Sequence, residues 1–246
     1  IVNHYQAPDD PGCDFAALLE RVSAVSGIDR IRFASPHPRH VSERLIHAIR
    51  DLPKVCKHLH LPVQSGSNAV LRSMRRRHTR EDYFALLERL RAAVPGIALS
   101  TDMIVGLPGE TDADFEQTLD LVRRVRYHSM FSFKYSPRPN TLAIKRLPDD
   151  VPEAEKTRRI VALQRLQAEI QLEWHERAVG QLVEVLVDAA SRRREHELAG
   201  RTSGNTVVNF PGPAEWLNTL QPVRITAAAP NSLRGEVVHA AEAVAR

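Results

Sequence analysis

Hydrophobic residues in the first half of the chain follow two alternating patterns. Short apolar runs at residues 2–5, 28–34, 55–63, 97–105 and 129–135 predict buried strands. Between them, apolar residues recur at helical spacing in residues 15–25, 41–49 and 68–74. Two more helices are predicted, one capped by Thr79 and one capped by Thr111 or Asp112. Strands that alternate with helices predict a parallel sheet with crossover helices. Five strands do not close an eight-stranded barrel, so we expect an open one.

The pattern changes in the second half of the chain. A proline-flanked break at 147–152 precedes residues 153–178, which predict one long amphipathic helix. Alternating apolar positions then predict a small β-barrel or sandwich with short strands, at residues 182–187, 198–201, 206–210, 223–226 and 235–239. The predicted fold class is therefore α/β, a partial barrel followed by a small all-β barrel or sandwich. The predicted domains are residues 1–147, a linker helix at 148–178, and residues 179–241.

Two strand exits carry the candidate binding residues. HLPVQSGS (60–67) and TDMIVGLPGET (101–111) each end an apolar run in small or polar residues before a helix. Loops at the carboxyl ends of parallel strands form the ligand crevice of α/β sheets. We therefore expect the two loops to share one cleft. Asp102 lies within the strand predicted at 97–105, where a carboxylate needs a pocket role or an ion-pair partner.

Composition limits the classes of protein. The chain has 246 residues, of which 43% are hydrophobic and 26% charged, as in ordinary globular proteins. No apolar run approaches the length of a membrane span. The net charge of +4 permits a nucleic-acid partner without requiring one. Residues 121–146 contain seven basic residues and no acidic residue, and Arg75, Arg76 and Arg77 form a second basic cluster; a solvated helix face explains the triple arginine equally well.

The cysteines and histidines give no metal motif. Cys13 and Cys56 are too few for a disulfide framework or for an iron–sulfur cluster, which takes three or four thiolates, and they suit a reducing compartment. We expect both to be plain buried or loop cysteines. His37 and His60 lack partners at ligand spacing, which favours structural roles. The N-terminus shows no secretory signal. It begins on a strand-like piece, as a chain cut into a larger fold would.

Several segments together resemble one family. HLPVQSGS, VLRSMRRRHT, STDMIVGLPGETDADFEQTL and FSFKYSPRPNT closely resemble the radical-SAM tRNA methylthiotransferases of the MiaB type, and GRTSGNTVVNF resembles their TRAM module, an RNA-binding barrel. The resemblance runs from near residue 1 to about residue 240. It implies S-adenosylmethionine as cofactor and two 4Fe-4S clusters in the full-length family. The family's cluster cysteines, including the CxxxCxxC set, are absent from this chain, so we expect the chain alone to be inactive.

The resemblance also implies roles for individual residues. Gln64, Ser65 and Ser67 would meet the ribose or methionyl group of the cofactor, although either serine could instead cap a helix. Gly106 and Gly109 would let the backbone approach the adenine, or simply form a tight turn. Asp102 would line the pocket. Further along, Arg138 between two prolines could bind a carboxylate or phosphate, Asn140 replaces the family's usual glycine, and Glu110 is expected to be a carboxylate at a helix start.

The function implied is methylthio transfer to C2 of N6-isopentenyladenosine in the tRNA anticodon loop. The partner would be the tRNA anticodon stem-loop, and the full-length protein would be a cytoplasmic monomer with no membrane contact. Two other functions stay open: the same chemistry on threonylcarbamoyladenosine, and a non-catalytic RNA-binding module. Charge in the region after Gly180 is balanced between acids and bases, so RNA binding there rests on the resemblance.

Overall fold

The computed structural model describes residues 1–34, 36–137, 148–190 and 196–238. The chain divides into two compact units, residues 1–167 and 168–246. In chain order the helices are α1 (Phe15–Ala24), α2 (Glu43–Asp51), α3 (Asn68–Ser73), α4 (Arg80–Ala93), α5 (Asp112–Val125) and α6 (Glu153–Ala178). The unit boundary falls inside α6. The domain boundaries given above stay predictions.

Unit 1 is built on a parallel sheet of three strands. β1 (Gln6–Ala7) and β2 (Asp10–Asp14) form a separate hairpin, and the sheet has the order β3 (His58–His60), β4 (Ala98–Val105), β5 (Ser129–Lys134). One face of the sheet is covered: the Tyr83 hydroxyl of α4 donates to the Leu61 carbonyl at 3.0 Å, and Tyr127 donates to Tyr83 at 3.0 Å. The predicted parallel α/β architecture is confirmed for this core.

Two of the five predicted parallel strands are wrong. Residues Val2–His4 form a 3-10 helix, because the Asn3 side chain exchanges two hydrogen bonds with the His37 backbone, both of 3.0 Å, in place of a strand ladder. The segment predicted at 28–34 makes only a single parallel bridge, Ile31 to Val55. Within it Ile31 alone reaches the core, since charged residues flank it at 30 and 32.

The third predicted strand is shorter than expected. Its regular part is β3, although the predicted run covers 55–63. Pro62 has no backbone N–H to donate. Pairing with β4 nevertheless continues through single bonds, from Leu61 N to Ser100 O at 2.8 Å and from Gln64 N to Asp102 O at 3.0 Å. The chain thus stays beside β4 up to the predicted binding loop.

The predicted helix starts are confirmed. Thr79 and Thr111 each form a capping box, with Asp82 and Asp114 three residues on. The long helix α6 spans residues 153–178 as the apolar pattern predicted. None of the helices in the described ranges has the length and hydrophobicity needed to cross a lipid bilayer.

Unit 2 contains a closed five-stranded barrel. Its strands are β6 (Leu182–Ala190), β7 (Glu197–Thr202), β8 (Val207–Pro211), β9 (Leu220–Ala229) and β10 (Ser232–Val237), in the spatial order β10-β8-β7-β6-β9. Alternate residues fill its core, among them Val185, Val208, Phe210 and Val223, each of which is fully buried. Gly200 is required because a Cβ there would overlap the Leu186 carbonyl oxygen. The sequence predicted all five strands, and the structure selects the barrel over the sandwich.

Candidate functional site

The two predicted binding loops lie side by side at one edge of the sheet. Gln64 forms a parallel bridge with Met103. It accepts from the Ile104 N–H at 2.9 Å and donates its own N–H to the Asp102 carbonyl at 3.0 Å. The loop after β3 therefore runs beside the last residues of β4 and the loop that follows them. The two loops are therefore adjacent, as expected from parallel strands, while a ligand cleft shared between them stays a prediction.

Ser65 and Ser67 are buried and engaged within the protein. The Ser67 hydroxyl donates to Asp114 at 2.5 Å and caps α3 by accepting from the N–H groups of residues 69 and 70. Ser65 accepts from the Ser67 N–H at 3.2 Å and lies 3.3 Å from the Thr118 hydroxyl. The helix-cap interpretation therefore describes Ser67. Contact of either serine with a cofactor stays a prediction.

Gly66 brings this loop against α5. Its N–H donates to the Thr118 hydroxyl at 3.0 Å. A Cβ at this position would overlap the Gln117 carbonyl oxygen and lie 2.6 Å from the Thr118 Cα. The glycine between the two serines is therefore needed for close packing of the loop on the helix, a role that the sequence analysis did not assign.

Gln64 holds a strained backbone at the start of the loop. Its φ is +79°, in the left-handed region that a side chain with a Cβ rarely adopts. Its side chain is 7% exposed. Strain of this kind costs about 1–3 kcal/mol and is found at ligand sites. The conformation supports the choice of Gln64 as a candidate binding residue.

Glu110 directly precedes the N-cap of α5, so it is a carboxylate at a helix start as expected, and it is buried in an ion pair. It accepts from the Gly106 N–H at 3.0 Å and from Arg159 of α6 at 2.8 Å. The two side chains are 1% and 5% exposed. Burial raises the pKa of Glu110, while the Gly106 N–H and the Arg159 guanidinium oppose that rise. Glu110 thus fixes the shape of the loop between β4 and α5.

Lys156 covers Gly106. A Cβ at Gly106 would overlap the Lys156 Cγ, and the Lys156 ammonium pairs with Asp149 at 2.6 Å although the side chain is only 4% exposed. Gly106 has φ +72° and Gly109 has φ +80°; the Gly109 N–H donates to Asp150 at 2.7 Å. The space freed by the missing Cβ of Gly106 is therefore filled by Lys156. Approach of an adenine to the backbone on another side of this loop stays a prediction.

Asp102 lies on the face of the sheet opposite to the one that α4 covers, in a row of polar side chains. Its carboxylate is 3.5 Å from His60 Nε2, and its side chain is 29% exposed. The Ser100 hydroxyl is 2.9 Å from His60 Nδ1 and 2.9 Å from His58 Nε2. His60, which we expected to be structural, therefore links the predicted pocket carboxylate to the sheet.

Arg76 is a candidate residue that the sequence analysis missed. Its half-buried guanidinium has a pKa lowered by burial, an effect opposed by the nearby Asp102 carboxylate. Like charge from Arg76 also contributes to the lowered pKa of both His37 and His78. Within the run of three arginines no spacing distinguishes Arg76. The electrostatic influence of Asp102 on Arg76 arises only once the chain is folded.

His37 gives unit 1 a pH-dependent stability. Burial, followed by the like charges of His78 and Arg76, lowers the pKa of His37 from 6.5 to about 4. As the pH falls below 6.5, the unfolded chain takes up this proton before the folded chain does, so stability is lost between pH 6.5 and about 4. We expect the melting temperature to fall over this range by less in His37→Gln than in the parent chain. The exposed His47→Gln variant should keep the parental dependence; equal dependence in both variants would contradict the assignment.

The remaining predicted residues divide into two groups. Arg138 and Asn140 lie outside the described residues. Cys13 and Cys56 are both buried, as predicted. Among the described residues no group of three or more His, Cys, Asp or Glu side chains is arranged to hold a metal ion, so we assign a cluster to none of them.

Parts of both units are similar to known protein families. Residues 7–122 match the radical SAM superfamily, and residues 176–238 match the TRAM domain. The tRNA-2-methylthio-N(6)-dimethylallyladenosine synthase of Halorhodospira halophila is 49% identical over 243 residues, which cover 96% of this chain and 50% of that protein. The synthase of the same name from Syntrophotalea carbinolica is 45% identical over 237 residues, covering 96% of this chain and 54% of that protein.

A solved structure is also similar to part of the chain. Coproporphyrinogen III oxidase from Escherichia coli, described as a radical SAM enzyme, matches with a TM-score of 0.43 and 25% identity, over 52% of this chain and 29% of that chain. The chain spans about half the length of the curated relatives it matches.

Proposed function

We propose, from the match of residues 7–122 to the radical SAM superfamily and of residues 176–238 to the TRAM domain, that this chain forms the carboxyl-terminal part of a tRNA methylthiotransferase. The observation that carries the proposal is identity of 45–49% across 96% of the chain to synthases of one name. The proposed substrate is an N6-dimethylallyladenosine in a tRNA anticodon stem-loop. The complete protein would work as a cytoplasmic monomer with two 4Fe-4S clusters.

The exposed side of the sheet fits S-adenosylmethionine, a ligand with an ammonium, a carboxylate and a ribose. Asp102 offers a carboxylate that is 29% exposed, suited to the ammonium group or the ribose hydroxyls. Arg76 offers a half-buried guanidinium within electrostatic range of Asp102, suited to the ligand carboxylate. Gln64 would add its side-chain amide, while Ser65, Ser67, Gly106 and Gly109 would contribute backbone groups or hold the loops in place.

When bound, S-adenosylmethionine would supply the 5′-deoxyadenosyl radical that family chemistry uses. The residues of this chain would bind and orient it. His60 would fix the Asp102 carboxylate from one side, and the Glu110–Arg159 pair would hold the loop after β4 in a single shape. Burial of that ion pair and of Lys156 keeps water away from the back of the loop.

Arg76→Gln is expected to weaken S-adenosylmethionine binding about tenfold, because a hydrogen bond to a charged group is worth about 1.5–3 kcal/mol. Isothermal titration calorimetry with the 246-residue chain measures the effect. Arg77→Gln, at the exposed arginine next along the chain, is the control and should bind as the parent does. Equal affinities of the two variants would remove Arg76 from the site.

Mass spectrometry of tRNA nucleosides tests the function itself. The complete gene should be expressed in a bacterium that lacks 2-methylthio modifications. We expect 2-methylthio-N6-dimethylallyladenosine to appear. Appearance of the 2-methylthio derivative of threonylcarbamoyladenosine instead would select the alternative substrate, and the absence of both would contradict the proposal.

A non-catalytic RNA-binding module remains the second candidate function. The internal bonds of Ser65 and Ser67 and the Lys156 cover over Gly106 favour it, because they give both loops a structural role. This candidate predicts RNA binding with steep salt dependence and no affinity for S-adenosylmethionine. The calorimetric titration of the parent chain therefore separates the two functions.

A further inference from the structure

Strand β5 has one covered face and one open face among the described residues. The Ser132 hydroxyl accepts from Gln164 of α6 at 3.0 Å, and Lys134 forms an ion pair with Glu153 of the same helix. The side chains that alternate with these two along the strand project from the opposite face. Phe131 is 58% exposed and Phe133 is 52% exposed. Two large aromatic side chains thus stand at alternate positions on an open sheet face.

These rings adjoin the polar row of β3 and β4. The parallel register pairs Phe131 with Asp102 and Phe133 with Ile104, and neighbours paired in this way project from the same face. The His60 ring meets Phe131 edge-on, with centroids 6.0 Å apart, which restrains the Phe131 ring. We call Ile104, Phe131 and Phe133 the aromatic patch. It borders directly on the Asp102 carboxylate proposed above for the cofactor.

An exposed aromatic pair of this kind is suited to a nucleobase. Exposed apolar clusters mark binding surfaces, and aromatic side chains on a sheet face stack unpaired bases. The patch also offers apolar surface beyond one ring, through Ile104. An alkyl group on the base gains from covering that surface, whereas a carboxylate placed against two phenyl rings loses its hydration.

We infer that the aromatic patch stacks the target adenine and covers its apolar N6 substituent, and so selects dimethylallyladenosine over threonylcarbamoyladenosine. The inference rests on the proposed function and assigns its substrate preference to three residues. It also places the target base and the cofactor on the same face of the sheet, because Asp102 pairs directly with Phe131.

Fluorescence anisotropy of three labelled anticodon stem-loops tests the inference with the 246-residue chain. The stem-loops carry adenosine, N6-dimethylallyladenosine or N6-threonylcarbamoyladenosine at the target position. We expect the parent chain to bind the dimethylallyl form about tenfold more tightly than the unmodified form, because only the alkyl group adds apolar surface to be covered. The double variant Phe131→Ser/Phe133→Ser should lose that preference. Both rings are half exposed, so the double variant should fold, and circular dichroism checks that it does.

Val161→Ser is the matched control, because Val161 is 57% exposed on α6, outside the patch. It should keep the parental preference. A double variant that still prefers the dimethylallyl form would overturn the role of the patch and leave the proposed function standing. A parent chain that prefers the threonylcarbamoyl form, or shows no preference, would overturn the substrate proposal together with the patch.

Sedimentation velocity of the parent and the double variant tests whether a second copy of the chain, instead of RNA, covers the patch. If the parent chain is a dimer and the double variant a monomer, the patch is an interface between copies of the chain, which would overturn the inference. We expect the same mass for both.

Discussion

Arg159→Met is expected to lower the free energy of unfolding of unit 1 by about 3–5 kcal/mol, because it leaves the Glu110 carboxylate buried without its counter-charge. The two side chains are 5% and 1% exposed and meet at 2.8 Å. Arg159 also donates to the Glu110 backbone carbonyl at 3.0 Å. Its loss therefore unties the start of α6 from the loop after β4.

Hydrogen-exchange mass spectrometry of peptides from β4 and α5 measures this effect in unit 1. Both tryptophans, Trp174 and Trp216, lie in unit 2, so their fluorescence would report on the wrong unit. The free energy of unfolding that the exchange of these peptides reports should be about 3–5 kcal/mol lower in Arg159→Met than in the parent chain.

Arg158→Met is the matched control, since Arg158 pairs with Asp112 and Glu155 but is 55% exposed. Exposed ion pairs contribute about 0–1 kcal/mol. The double variant Glu110→Leu/Arg159→Met should recover much of the lost stability, because no unpaired charge stays buried. An Arg159→Met variant that is no less stable than Arg158→Met would show that the pair does not hold the loop.

Gly66→Ala is expected to destabilise unit 1 by about 2–3 kcal/mol, the usual effect of overpacking. The added methyl group would meet backbone atoms of α5, the Gln117 carbonyl and the Thr118 Cα, which cannot rotate away as a side chain would. The loop would have to move off the helix and carry Gln64 with it. We therefore also expect weaker binding of S-adenosylmethionine.

Gly109→Ala isolates the contribution of backbone strain. Gly109 has φ +80° and open space where a Cβ would lie. The Gly109→Ala variant should therefore be about 1–2 kcal/mol less stable than the parent chain, because of the left-handed conformation alone. Urea denaturation followed by far-ultraviolet circular dichroism compares the two variants. If Gly66→Ala is the milder of the two, the loop does not pack on α5 as described.

The regular elements could be predicted because their signals are local. The Thr79 and Thr111 capping boxes, the helix over 153–178 and the five strands of the barrel all follow from periodicity and capping residues. The same local signals could not show that the apolar runs at 2–5 and 28–34 do not form regular strands. A side chain–backbone bond from Asn3 to His37, 34 residues away, decides the conformation of the first of them.

The adjacency of the two loops could be predicted, but most of their contacts could not. Spacing placed both loops at one edge of the sheet, since parallel strands end together. The partners of those loops come from far along the chain: Arg159 is 49 residues from Glu110, and Thr118 is 52 residues from Gly66. Side-chain pairs at such separations leave no periodic signal in a single sequence. The same is true of Arg76, which resembles its arginine neighbours until the fold brings it within electrostatic range of Asp102.

A crystal structure of the complete protein with S-adenosylmethionine tests the central claim most directly. The account predicts the cofactor on the open face of the sheet, with Asp102 and Arg76 within hydrogen-bonding distance of its charged groups and Gln64 at its edge. A cofactor bound on the face covered by α4 and α5, or away from the loops after β3 and β4, would contradict it.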